Sequence, residues 1–134
     1  MERLTILEIE ATRSSPDVML DAKNRVLRIS GQSYPENAFK FYEPVLEWVD
    51  RYLAESEPAE PTIVELALPY MNTSSTKCLM QLFDRLEAAF EAGRQVEVRW
   101  YYNEDHEREL ECAEDFKEDL TLPFQTIPRK EEPA

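Results

Sequence analysis

Glycine is nearly absent from this chain, with two residues in 134. Loops that cradle phosphate on successive backbone N–H groups need several glycines, so nucleotide-binding turns of that kind are excluded. Histidine occurs once, at His106, and a histidine-based metal cluster within one chain is excluded with it. Cysteine occurs twice, at Cys78 and Cys112, with no CxxC pair. Both lie in segments that read as helical, so small thiols in a reducing compartment are expected, and neither a disulfide framework nor a zinc site is. No apolar run approaches the roughly 20 residues of a membrane span, and no signal peptide is read; the expected location is the cytoplasm. Bases are scarce relative to acids: 15 Lys and Arg against 28 Asp and Glu give a formal charge of −13. Such a field repels nucleic acid and anionic membrane surfaces, and it favours basic patches on other proteins as partners.

What is present reads as one domain with one core. Residues 4–10 alternate and carry β-branched side chains, as a first strand does. Val18–Asp21 and Arg25–Ser30 predict a hairpin across Ala22-Lys23-Asn24, closed by Gly31. Ser33 is a candidate cap for the next helix, with Glu36 three residues on and Pro35 suited to the first turn. That helix extends to Glu55 on a stripe of Tyr42, Val45, Val49 and Tyr52, flanked by Phe39, Leu46 and Leu53. Pro44 predicts a kink or a start near Glu43. Residues 57–61 form a Pro-rich linker, and Thr62–Leu68 is an apolar strand, central in the sheet. Thr73-Ser74-Ser75 then caps a helix to about Ala92 on Leu79, Phe83, Leu86 and Phe90, stopped by Gly93. Gln95–Tyr102 is a strand with Val96, Val98, Trp100 and Tyr102 on one face. Glu104–Leu120 is a charged helix whose core side is Leu110, Ala113 and Phe116. A short extended piece, Pro123–Ile127, closes the domain at 127, and 128–134 reads as a disordered tail. The order β-β-β-α-β-α-β-α implies an α/β fold with a mixed sheet and about three helices on at least one face.

Catalytic chemistry finds no support in these residues. The acidic helix holds nine carboxylates between Glu104 and Asp119. Glu107, Glu111 and Glu114 share one face that either collects a cation, meets a basic partner or is simply solvated. No nucleophile–base pair has a motif, so no catalytic residue, metal ligand or cofactor is assigned. Tyr34, Phe41, Trp48 and Tyr101 fall off the main stripes, and they either meet a partner or complete a second edge of the core. The hydroxyl run Thr73-Ser74-Ser75-Thr76 stands apart, because capping needs one hydroxyl and four are present. A phosphate at a helix start meets free N–H donors and the positive dipole end. The fold tolerates it there, whereas a partner surface built around a neutral hydroxyl does not.

Two segments, Ser33-Tyr34-Pro35-Glu36-Asn37 and Tyr70-Met71-Asn72-Thr73-Ser74-Ser75, resemble signature stretches of the SiaC family of bacterial regulatory phosphoproteins. Trp48-Val49, Gly93-Arg94, Arg99-Trp100-Tyr101-Tyr102 and the acidic helix before Pro123-Phe124 agree in the same order. The resemblance implies a STAS-like domain and a phosphosite at Thr73. It implies an unphosphorylated form that binds and activates a diguanylate cyclase in c-di-GMP signalling, a cognate protein kinase and a PP2C-type phosphatase. The partner surface then takes in Ser33, Tyr34, Pro35, Glu36, Asn37, Tyr70, Asn72, Ser74 and Ser75. Met71, Thr76-Lys77 and the charged tail depart from the family pattern. A STAS-type anti-sigma-factor antagonist, using the same hydroxyl, is the alternative.

Overall fold

Along Thr62–Ala67 every second side chain is buried, and the strands beside it repeat that rhythm. The computed structural model describes residues 6–57 and 59–130. In chain order they form β1 (Leu7–Ile9), β2 (Asp17–Asp21), β3 (Val26–Ser30), α1 (Ala38–Glu55), β4 (Thr62–Ala67), α2 (Thr73–Glu91), β5 (Val96–Asn103), α3 (Glu107–Glu118) and β6 (Phe124–Arg129). The six strands lie side by side in sequence order. β1, β2 and β3 pair antiparallel, and β3, β4, β5 and β6 pair parallel.

Each parallel step crosses over through a helix and advances in the same direction, so the right-handed rule puts all three helices on one face. The contacts agree. From α1, Tyr52 Oη lies 2.6 Å from Thr62 Oγ1. From α2 and α3, Phe83 and Phe116 stack on Trp100 at centroid distances of 6.4 and 5.6 Å. Thr62 pairs with Val96 and Leu66 with Trp100, which places these residues on the same side of the sheet. That side holds the core: Val18, Leu20, Leu27, Ile29, Val64, Leu66, Val98 and Trp100 are all buried. The opposite side is a polar ladder in which Arg28 pairs with Glu65 and Glu65 with Arg99. Burial pushes the Glu65 carboxyl up, but hydrogen bonds from Arg28 and Tyr101 outweigh it and hold the group below its usual range.

Several local expectations change. The helix-starting residue of α1 is Asn37, whose side chain accepts from the Lys40 N–H at 3.1 Å, not Ser33. Pro44 sits inside a helix that begins six residues earlier, at Ala38. It is tolerated because Pro44 and Lys40, whose carbonyl loses its partner, both face solvent. Arg25 belongs to the hairpin turn rather than to β3, with a left-handed φ of 57°. Phe39 is half exposed at 52%, whereas Trp48 is in the core at 6% and stacks on Tyr52. The expected extended piece is strand β6, and it passes the boundary drawn at 127: Pro128 pairs with Tyr102 and Arg129 with Asn103. Leu4 and Thr5 of the expected first strand, Pro58 of the linker and residues 131–134 of the expected tail lie outside the described residues.

Gly93 stops α2 as its sequence position predicts. Its φ of 107° lets its N–H reach the Phe90 carbonyl while the Arg94 N–H reaches that of Ala89, the paired bonds of a Schellman end. Arg94 then turns inward, 5% exposed, and donates to Ser56 Oγ and to the carbonyls of Leu53 and Ser56 at 2.9–3.0 Å. One guanidinium thus satisfies the end of α1 from the end of α2.

Candidate functional site

Two loops leave the carboxyl ends of the neighbouring strands β3 and β4, the place where parallel sheets usually carry their sites. The backbone joins them: Ser33 N–H donates to the Tyr70 carbonyl at 2.8 Å, and Asn72 N–H to the Ser33 carbonyl at 2.9 Å. Ser33 and Met71 form an isolated parallel bridge. Tyr34 N–H donates to the Ser14 carbonyl at 2.7 Å, so the segment before β2 supports the same loop. The two motifs read separately in sequence are one surface in the fold.

Inside that junction lies a hydroxyl cluster. Ser33 Oγ donates to Ser75 Oγ at 2.8 Å and lies 2.7 Å from Tyr42 Oη, and all three residues are buried. Because the single Ser33 proton goes to Ser75, the Tyr42 hydroxyl donates to Ser33. Burial pushes the Tyr42 phenol up to about 12. Ser33 and Ser75, expected on a partner surface, are therefore out of reach of a partner, and they pin the two loops to α1.

The remaining expected residues sit outside that lock. Tyr34 is half-buried and packs edge-on against Tyr70 at 5.8 Å, and Tyr70 is 54% exposed. Pro35 is half-buried, Glu36 and Asn37 are exposed, and Asn37 caps α1. Phe41 and Tyr101 are half-buried, and Tyr101 is held by Glu65 on the open face of the sheet.

The hydroxyl run differs from its expected role in one respect. Asn72, not Thr73, Ser74 or Ser75, caps α2: its Oδ1 accepts from the Ser75 N–H at 2.8 Å. Asparagine is among the best caps, so the signal was present in the sequence and was obscured by the hydroxyls after it. Ser75 is locked in the cluster, and Thr76 Oγ1 donates back to the Asn72 carbonyl at 3.1 Å. Ser74 is half-buried. Thr73 is exposed, is the first residue of α2, and makes no hydrogen bond through Oγ1 among the described residues. At that helix end the Ser75 and Thr76 N–H groups go to Asn72, and those of Thr73 and Ser74 are the unfilled donors among the described residues.

Elsewhere, His106 is exposed and its Nδ1 meets Glu109 Oε2 at 2.7 Å, while Glu109 Oε1 accepts from the Asn103 N–H. Glu107, Glu111 and Glu114 all face solvent. Among the described residues no group of three or more His, Cys, Asp or Glu is placed to hold a metal ion, and no helix is long and apolar enough to cross a membrane.

Comparison with known proteins matches residues 9–129 to the family described as SiaC family regulatory phosphoprotein. A curated but uncharacterised protein of Pseudomonas aeruginosa strain UCBPP-PA14 is 42% identical over 118 residues, covering 88% of this chain and 92% of that protein. Among solved structures, a chain of the crystal structure of the diguanylate cyclase SiaD in complex with its activator SiaC, from Pseudomonas aeruginosa, matches with a TM-score of 0.88 at 40% identity. The match covers 92% of this chain and 99% of that one. Crystalline apo-SiaC from the same organism matches with a TM-score of 0.84 at 39% identity, over 92% of this chain and 98% of its own.

Proposed function

This chain belongs to the SiaC family of regulatory phosphoproteins, and from that membership we propose that it is a non-catalytic cytoplasmic adaptor switched by phosphorylation of Thr73. In its unphosphorylated form it binds and activates a diguanylate cyclase. A cognate kinase transfers a phosphoryl group to Thr73 Oγ1, and a PP2C-type phosphatase removes it by hydrolysis. The cyclase assignment is supported by the similar SiaC, which is named as the activator of SiaD in the solved complex.

The observation that carries the choice of residue is the division of labour among the hydroxyls. Capping falls to Asn72, Ser75 is buried and bonded, Thr76 bonds back to the chain, and Thr73 alone is both exposed and unbonded. A phosphate on Thr73 would meet the free N–H groups of the first turn of α2, and exposed Lys77 stands one turn on. The folded chain accepts the anion. A cyclase surface resting on Tyr70, Tyr34, Glu36 and Ser74 around a neutral hydroxyl does not, because charge and bulk are added to a desolvated contact. The test is calorimetry against a diguanylate cyclase with Thr73→Ala and Thr73→Glu chains. Binding is retained in the first and lost in the second; equal binding by both sinks the reading. Co-purification with an anti-sigma kinase in place of a cyclase would redirect it.

A further inference from the structure

A second surface lies on the helices rather than the loops. α2 and α3 diverge to leave a groove of about 330 Å³. Its floor is apolar: Met80 and Phe83 from α2, Cys112 and Phe116 from α3. Met80 is 52% exposed, a large apolar side chain left in water on a helix whose other apolar residues are mostly buried. Its rim is formed by Asp84, Glu87, Asp115 and Asp119, and no basic residue lines it. Glu87 is engaged with the Thr121–Leu122 turn, which holds its carboxyl below the usual range. Asp84, Asp115 and Asp119 stand in no ion pair among the described residues.

We propose that this groove is a docking site for a basic amphipathic helix of a partner protein. Two helices flanking an apolar trough accept a third through anchors one and two turns apart, and flexible methionine adapts to such anchors. The one-signed rim selects the occupant. A second copy of this chain would bring acids against acids in a protein of net charge −13, and an anionic lipid surface is repelled for the same reason. Lysine or arginine flanking the apolar stripe neutralises the rim, and bound cation and bound apolar residue reinforce one another. Thr76, one turn on from Thr73, also lines the groove, so a charge added at Thr73 has the sign of the rim and favours a basic occupant where it blocks the loop contact.

The test uses the full chain and a fluorescein-labelled amphipathic peptide of about 18 residues, with leucine at i, i+3, i+4 and i+7 and lysine on either side. Anisotropy titrations compare the parent chain with Met80→Glu, with the pair Asp84→Lys and Asp119→Lys, and with Glu47→Lys, an exposed α1 acid, as charge control. Met80→Glu makes the protein more acidic, so general attraction would tighten binding, whereas loss of the floor weakens it about tenfold or more. The Asp84/Asp119 pair weakens binding and Glu47→Lys leaves it near the parent value. Amide shift mapping on the parent chain places the peptide at Met80, Phe83, Cys112 and Phe116 without relying on any variant. Unchanged or tighter binding by Met80→Glu, equal weakening by Glu47→Lys, or shifts centred elsewhere overturns the site. Loss of self-association on Met80→Glu, with no peptide effect, assigns the groove to a second copy and also overturns it. The Thr73→Glu chain binds the peptide at least as tightly as the parent while losing the cyclase, so failure of the switch and failure of the groove are read separately.

Discussion

Ser33 Oγ donates a 2.8 Å hydrogen bond to Ser75 Oγ across 42 residues of sequence, in the buried seam between the loops after β3 and β4. The bond makes the two motif loops one rigid unit and fixes where α2 begins.

Ser33→Ala leaves Tyr42 Oη without its acceptor and Ser75 Oγ without its donor, both in the interior. Stability falls by about 1–3 kcal/mol, the range for orphaned buried polar groups. Urea denaturation checks the midpoint. Hydrogen exchange at Tyr34, Asn72 and Ser75 checks the second consequence, that amides of both loops open together.

Asn72→Ala removes the α2 cap and costs about 1 kcal/mol, whereas Thr73→Ala, one residue on, costs less than about 0.5 kcal/mol because its hydroxyl bonds nothing. Thermal melts of the two chains rank them. The functional order is reversed: in a kinase reaction followed by intact mass, the Asn72→Ala chain still gains a phosphoryl group and the Thr73→Ala chain does not.

Tyr42 sets an alkaline limit. Its phenol ionises near 10.0 in the unfolded chain and is pushed up to about 12 by burial in the folded one. Between those values the unfolded state has lost a proton that the folded state keeps, so stability falls as pH rises from about 10 towards 12, and the full contribution is present below that window. The loss amounts to about 2–3 kcal/mol at most. Tyr42→Phe lowers stability at pH 7 by about 1 kcal/mol through its hydrogen bond to Ser33, yet has a shallower alkaline decline. Denaturant midpoints at pH 8, 10 and 11 compare the two chains, and parallel declines would refute the assignment.

Arg94→Ala strips the end of α1 of its donors at Leu53 and Ser56 and leaves those carbonyls facing a hole. The expected cost is about 2–3 kcal/mol, since the bonds are charge-assisted and the side chain is buried. Arg94→Lys recovers only part of it, because one ammonium cannot span Ser56 Oγ and two carbonyls in the planar fork that guanidinium provides. Chemical denaturation of the three chains gives the order.

Much of the fold was legible before any coordinates. The apolar run Thr62–Leu68 is the central strand it reads as. The one-face set Val96, Val98 and Trp100 and the α2 stripe Leu79, Phe83 and Leu86 are buried, with Tyr102 and Phe90 half-buried at their ends. Gly93 ends α2 where its backbone freedom is needed. Side chains off the main stripes were less legible. Phe39 and Trp48 are both large and apolar, yet one faces water and the other stacks on Tyr52. Helical spacing gives each a direction, but the width of the covered face depends on α2, which packs against α1 from later in the chain.

Local chemistry was enough to establish an acidic α/β chain with two glycines, a hydroxyl run at a helix start and the motifs of its family, since charge, period and turn preference are properties of neighbours in sequence. The division of roles among those hydroxyls was settled by folding. Ser33, read as a cap, became a buried pin because Tyr42 and Ser75 arrive beside it, and Thr73 was left free because Asn72 took the cap. A hydroxyl bonds whichever polar atom the rest of the chain brings within about 3 Å, and nothing in its immediate sequence specifies which atom that will be.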